Sequence, residues 1–293
     1  MRYLFNTKEL LDVLRSSGLE CSAASPFRTL CSLDAPGDII PLSEEQRLLA
    51  AFALQPEQTV LCGRKSSAEG CLYLLRIGAV YYVYNWLEKQ DCHVFYAYFD
   101  RKGLARMLQR NFCGFFRPNF GAYTELDVTL NRDEVIVWHF IRALYACRAR
   151  KGTAANAPFS EDDLKNADVA TYLRNTLDEV GFSEWSDRID QLSDETYHAE
   201  TAAALRGLEE KGILTADLIP GTEETGWTLT RTALERLDDG MLIDTVWYAD
   251  RTDPEKVREI LFCLRRDGVL AYCPTRTGAL LRTLPEIPWA ELI

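Results

Sequence analysis

Cys71-Leu72-Tyr73-Leu74-Leu75-Arg76-Ile77-Gly78-Ala79-Val80-Tyr81-Tyr82-Val83-Tyr84-Asn85-Trp86 is the stretch on which the reading of the fold turns. Two runs rich in Leu, Val and Tyr flank Gly78. Aromatic and β-branched side chains suit a pleated, half-buried surface. Cys71 to Arg76 and Ala79 to Trp86 therefore read as two strands about a turn at Gly78. Thr59-Val60-Leu61-Cys62 reads as a strand before them, and Cys92 to Phe99 as one after them. Three to four antiparallel strands joined by tight turns put the first half of the chain in the α+β class.

Helix start signals surround this sheet. Asn6 with Glu9, Ser43 with Gln46, Asn131 with Glu134 and Ser160 with Asp163 each have the spacing of a capping box. Asp100 is an N-cap for a basic helix through Leu104, Met107 and Leu108. Gly18 stops the first helix, and Pro26 to Pro41 reads as loop. A long helix from Asn131 ends in Arg148-Ala149-Arg150-Lys151, bases that suit the negative end of the helix dipole.

The second half reads as mostly helical. Leu205-Arg-Gly-Leu208-Glu-Glu-Lys-Gly212-Ile213-Leu214 parallels Leu261-Phe-Cys-Leu264-Arg-Arg-Asp-Gly268-Val269-Leu270, each a helix end, a Gly and a strand. Each is followed by Thr-Arg-Thr, at Thr230 and at Thr275, as the opening of a further helix. Val94-Phe95-Tyr96-Ala97 before Asp100-Arg101 parallels Val246-Trp247-Tyr248-Ala249 before Asp250-Arg251, with Asp253-Pro254 as cap and first turn of a helix. The expectation is two lobes: an α+β lobe over 1–125 and a mostly helical lobe over 126–293, with two ordinary βα units as the alternative to a repeat.

Net charge is −11. From Phe159 to Glu200 there are twelve acids and three bases, whereas Arg101 to Tyr123 holds five bases and no acid. A solvated face is the default reading of the acidic segment. An acidic whole disfavours non-specific nucleic-acid binding. No run of 18 apolar residues is present, so no membrane helix is expected, and Met1 to Asn6 does not read as a secretion signal. The nine cysteines show no C-x-x-C spacing and read as free thiols in a reducing cytoplasm. His93, His139 and His198 share no metal-ligand spacing and read as structural or solvated. No G-x-S-x-G, G-x-G-x-x-G or phosphate-loop motif occurs. Gly63-Arg64-Lys65-Ser66-Ser67 reads as a hairpin turn, and Glu161-Asp162-Asp163 as first-turn helix acids. No cofactor and no metal are called for.

Residues 197–237 resemble a winged-helix subdomain. A helix ends at Gly212, a strand runs to the Pro220-Gly221 turn, Gly226-Trp227-Thr228-Leu229-Thr230 returns, and a helix follows through Leu234 and Leu237. The reading helix would present Glu200, Thr201, Arg206, Glu209, Glu210 and Lys211. Such an acidic face repels phosphate, so the resemblance implies packing or protein contact rather than DNA reading. The first half resembles the EspG family of type VII (ESX) secretion chaperones in its order of elements. The matching pieces are a helix ending in Ser17-Gly18-Leu19, a helix over Leu48-Leu49-Ala50-Ala51-Phe52-Ala53-Leu54-Gln55-Pro56-Glu57, and strands such as Tyr73 to Tyr82. That resemblance implies a cytosolic chaperone that holds a secreted helical partner and does no chemistry.

The functional expectation is a non-enzymatic adaptor or chaperone for a protein partner. Arg101, Arg106, Arg110, Phe112, Phe115, Phe116, Arg117 and Phe120 are the candidate contact residues, because arginines and aromatics dominate interface hot spots. The aromatics among them read equally well as core. Two alternatives stay open: a nucleic-acid-associated regulator that uses the 101–123 stretch, and an enzyme whose site assembles from distant residues.

Overall fold

Asn6 accepts a hydrogen bond from the Glu9 amide at 2.8 Å and Glu9 accepts one from the Asn6 amide at 2.9 Å. This pair starts α1 (Thr7–Ser16) in the computed structural model of the chain. The structure describes residues 2–33, 38–64, 71–114, 126–152, 157–178, 198–231, 233, 242–253, 255–265, 268–275 and 277–293. A four-residue helix, α2 (Arg28–Cys31), lies within the stretch read as loop. Reciprocal capping opens α3 (Glu44–Leu54) at Ser43 and Gln46. Asp100 alone caps α4 (Arg101–Leu108). The box recurs at Asn131 and Glu134 for α5 (Arg132–Arg150) and at Ser160 and Asp163 for α6 (Glu161–Leu164). The remaining helices are α7 (Ala167–Asp178), α8 (His198–Glu210) and α9 (Trp289–Leu292).

The chain is mixed α/β with a large antiparallel sheet. It divides into two compact units, each built from separate stretches. The first takes Met1–Gly121, Ile243–Ala271 and Leu284–Ile293. Its strands are β1 (Arg2–Phe5), β2 (Gln58–Arg64), β3 (Leu72–Ile77), β4 (Val80–Leu87) and β5 (Cys92–Tyr98). The second unit takes Ala122–Leu242 and Tyr272–Thr283. It contains β6 (Asp127–Asn131), β7 (Leu214–Leu218) and β8 (Thr225–Leu229). β9 (Leu242–Asp250) and β10 (Arg258–Arg265) return to the first unit, where the strand order is β1-β5-β4-β3-β2-β9-β10. The chain leaves that unit within β11 (Gly268–Thr275) and continues into β12 (Gly278–Leu284).

In the first unit the β3–β4 hairpin turns at Gly78, whose φ of 59° favours glycine. One sheet face, with Leu75, Tyr82, Tyr84 and Phe95, packs against Leu10, Val13 and Leu14 of α1 and Leu49, Phe52 and Ala53 of α3. Phe27 fills the gap, 4.6 Å from Tyr84 between ring centroids. β2 pairs on its other edge with β9, so that Gly63 stands opposite Trp247. A Cβ at Gly63 would lie 2.1 Å from the Trp247 indole, so only glycine leaves room for that ring. Beyond the ladder, the Thr59 carbonyl accepts from the Arg251 amide at 2.8 Å, and the Tyr248 hydroxyl donates to the Leu292 carbonyl at 2.8 Å.

α5 is the centre of the second unit. Val135, Ile136, Val137, Trp138, Phe140, Ile141 and Leu144 are buried, so the helix is enclosed nearly all round. α6, α7 and α8 pack on it. Glu134 is buried, caps Asn131 and pairs with Lys211. A Cβ at Gly207 would lie 2.2 Å from the Glu134 carboxylate, so α8 approaches α5 through a glycine. Lys211 thus faces Glu134, away from the reading-helix role considered above. The basic end of α5 is tied down as well. Arg148 donates to the Ala157 carbonyl at 2.6 Å, Lys151 pairs with Asp168 at 2.8 Å, and Arg150 lies over Tyr172 at 4.8 Å.

Several expectations are corrected. The helices expected after Asp253-Pro254 and after Thr275 are strands, β10 and β12, and Leu261 to Leu264 lies in a strand rather than at a helix end. Ile260, Phe262 and Leu264 are buried while Glu259, Leu261 and Cys263 are less so, which is the two-residue period of a strand. The helical second half therefore holds only up to Glu210, and the strand-cap-helix echo is not repeated, because β9 leads into β10. The other copy of the helix-end echo is formed: α8 stops, Gly212 takes φ 69°, and β7 begins. Gly63 and Arg64 belong to β2, and the rest of the proposed turn lies outside the described residues. So does most of the helix expected through Leu234 and Leu237. β1 and β6, each running into an Asn-capped helix, were not foreseen.

Gly63→Ala is expected to destabilise the protein by about 1–3 kcal/mol, the usual cost of overpacking. Gly63→Ala with Trp247→Leu should recover part of that loss, read as the midpoint of urea unfolding.

Candidate functional site

α4 is anchored by Leu104 and Leu108, both fully buried and one turn apart. It packs on β5 and α9. The Asp100 carboxylate accepts the Gly103 amide and fixes where the helix starts. Arg101, Lys102 and Arg106 are exposed on the remaining surface. After Leu108 the chain makes a π turn over Gln109–Cys113, a wider loop of backbone that recurs at functional positions. The turn sends Phe112 and Cys113 inward. Phe112 is 5% exposed, with its ring 5.5 Å from that of Trp289. Gly114 closes the turn at φ 58° and ψ −128°, a conformation suited to glycine.

The turn leaves a cavity of about 520 Å³, lined among the described residues by Arg106, Gln109, Arg110 and Gly114. Neither the Arg106 nor the Arg110 guanidinium has an ion-pair or hydrogen-bond partner among the described residues. The Gln109 side-chain oxygen is buried and accepts no hydrogen bond among them. Lys102, Arg106 and Arg110 follow at four-residue intervals, and like charges so spaced oppose one another by about 0.2–0.5 kcal/mol per pair. The arrangement can therefore hold an anionic group.

Of the residues singled out from sequence, Arg106 and Arg110 meet at this cavity, Arg101 is exposed at the start of α4, and Phe112 is interior. Phe115, Phe116, Arg117 and Phe120 lie outside the described residues. Gln109 and Gly114 were missed. Gly114 was noted only as a break, and nothing in the spacing announces a π turn.

A second polar cluster gathers round His93, which is 3% exposed. Thr7 Oγ1 contacts the Asp91 carboxylate and lies 3.0 Å from His93 Nε2, while Tyr84 Oη lies 2.9 Å from Nδ1. Asp91 only accepts, so the Thr7 hydroxyl proton points to it. His93 Nε2–H then donates to Thr7, and Nδ1 accepts from Tyr84. The Thr7 proton is thus committed away from the imidazole, and the chain of bonds latches the start of α1 to β5 rather than pairing a nucleophile with its base. The Trp86 and Tyr84 rings stack over the imidazole at 5.7 and 5.9 Å. Burial lowers the His93 pKa, opposed by the Asp91 charge. Burial, with Arg142 nearby, lowers that of His139 to about 3.

None of the nine cysteines is in a disulfide bond. Burial raises the thiol pKa of Cys31 to about 11, with Cys21 adding to the effect, and that of Cys113 to about 11. Such thiols are poor nucleophiles at neutral pH. Among the described residues no group of three or more His, Cys, Asp or Glu is placed to hold a metal ion, and no helix is long and apolar enough to cross a membrane.

No family model and no curated protein matches this sequence. The histidines yield a prediction. Both are depressed from 6.5 in the folded chain, so the unfolded chain takes up protons first on acidification. Their contribution is complete above about pH 6.5 and is lost progressively below it. Unfolding free energy from urea titrations should fall between about pH 6.5 and 5, and more shallowly in His93→Gln and His139→Gln.

Proposed function

We propose that this chain is a non-enzymatic protein-interaction protein, an adaptor or chaperone, that takes an acidic segment of a protein partner on the surface formed by the end of α4 and the π turn. The observation that carries the reading is the pair Arg106 and Arg110, set on a concave surface without a counter-charge among the described residues. Three arginines elsewhere in the chain are held: Arg148 by two carbonyls and Asp163, Arg282 by Asp127, and Arg15 by the Leu33 carbonyl. Arginine is also the charged residue most enriched at interface hot spots. A net charge of −11 repels an acidic partner from most of the molecule, which favours docking at an acid-free stretch that carries five bases, such as 101–123.

Two finer readings accompany this one. α8 with the β7–β8 hairpin is read as the helix and wing of a winged-helix-like subdomain used for packing, since Leu205 and Leu208 are buried and Lys211 is engaged by Glu134. A cytoplasmic location belongs to the same reading, and nine thiols outside any disulfide support it. The same cations also support a second reading, a nucleic-acid-associated regulator, against which the acidic whole weighs.

Affinity capture with the tagged wild-type chain and with Arg106→Glu/Arg110→Glu, each with and without nuclease, tests the reading. An acidic protein that survives nuclease and is lost from the charge-reversed variant is expected. Loss of everything on nuclease treatment would transfer the surface to nucleic acid, and equal capture by both chains would remove α4 from the interface.

A further inference from the structure

We propose that Cys21 and Cys31 are a redox-modification site: glutathione disulfide, or another small disulfide, oxidises the pair to a Cys21–Cys31 bond that locks the segment between α1 and α3. The two cysteines are ten residues apart in sequence. Arg15 of α1 donates to the Leu33 carbonyl at 2.7 Å, which draws the end of α2, where Cys31 lies, to the end of α1. Cys21 and Cys31 pack against the same core, and their thiols are in hydrogen-bonding contact. Both are partly exposed, so a small disulfide can reach them. Cys62 and Cys71 are also neighbours, but Cys62 is fully buried within β2, and a reagent reaches it only if the sheet opens.

The segment between Cys21 and Cys31 is a strap. The Ser22 amide donates to the Leu54 carbonyl at 2.8 Å, the Ser25 hydroxyl to the Ala53 carbonyl at 2.7 Å, and the Thr59 hydroxyl to the Ala24 carbonyl at 2.8 Å. Phe27 of the same strap packs against Tyr84 and Phe95 on the sheet. Joining its ends removes conformations from the unfolded chain and so stabilises the first unit. The chemistry is thiol–disulfide exchange. One thiolate attacks a sulfur of glutathione disulfide, that S–S bond breaks, and one glutathione thiolate leaves. The thiolate of the second cysteine then displaces the other glutathione. Two electrons pass from the pair to glutathione disulfide, and the two protons end on the two glutathione thiols. Burial and the neighbouring Cys21 raise the Cys31 thiol to about 11, which slows closure without moving its equilibrium. The site stands without the docking surface proposed above.

The test equilibrates the reduced full chain at neutral pH with mixtures of reduced and oxidised glutathione. Free thiols are then blocked with N-ethylmaleimide, and the linked peptides are mapped by mass spectrometry. One intrachain bond is expected, between Cys21 and Cys31, with the loss of two hydrogens and no retained glutathione at either. The oxidised chain should melt about 5 °C above the reduced one, and dithiothreitol should reverse the shift. Stabilisation of the fold by the bond and of the bond by the fold are reciprocal. The closure constant should therefore be about a hundredfold larger in the folded chain than in the urea-unfolded chain. Cys21→Ser and Cys31→Ser should each lose the bond and the thermal shift and keep one glutathione instead. The wild-type map and the folded-to-unfolded comparison decide the matter even where a serine variant fails to fold. Glutathione left on Cys21 or Cys31 as the final product would overturn the proposal. So would a bond between other cysteines in its place, or equal closure constants in the folded and unfolded chains.

Discussion

The ladder between β2 and β9 is the pairing on which the first unit depends. It joins Val60 to Arg64 with Val246 to Asp250, strands drawn from opposite ends of the sequence. Closing so long a loop costs conformational entropy, which local contacts do not recover. Close approach at Gly63 leaves the space that the Trp247 ring occupies, and Thr59 extends the contact through Arg251 and Thr252. Once β9 is in place, β10 adds to it, and the C-terminal residues are tied back through Tyr248 and Leu292. A strand order that alternates ends of the chain makes such a fold slow to form and hard to cut into sequential domains.

The surface proposed for docking rests on the same closure. Trp289 of α9 reaches Phe112 and Phe262, one at the π turn and one on β10. The C-terminal helix therefore pins the inward side of the π turn to the late strands. With Phe112 and Cys113 held inside, Arg106, Gln109 and Arg110 are left around the cavity. Substitutions in β9 or α9 should thus be felt at the arginines without touching them. The His93 latch lies on the sheet face that packs against α1, where Thr7, Asp91 and Tyr84 hold the start of that helix.

Local signals in the sequence were legible because their physics is local. A capping box needs two side chains three residues apart, and all four boxes formed. The turn at Gly78 needs one residue that accepts a positive φ. The late strands were not legible for the opposite reason. Leu261 with Leu264 fits a helix as well as Ile260, Phe262 and Leu264 fit a strand, and the tie is broken by pairing with β9, which itself depends on β2. At the candidate site the arginines were legible as an acid-free stretch. The π turn was not, because one extra residue in a helical turn leaves no compositional mark, and with it Gln109 was overlooked. Phe112 shows why composition alone did not decide between core and interface: the same aromatic serves either, and Trp289, far along the chain, claims it for the interior.

The end of α4 and the π turn are the surface proposed to take the partner. Hydrogen–deuterium exchange of the full chain, alone and saturated with the acidic protein it captures, measures this directly. Amides of residues 101–114 should gain protection, while those of α8 and the β7–β8 hairpin stay unchanged. Protection confined to α8 and the hairpin, with 101–114 exchanging as in the free chain, would contradict it.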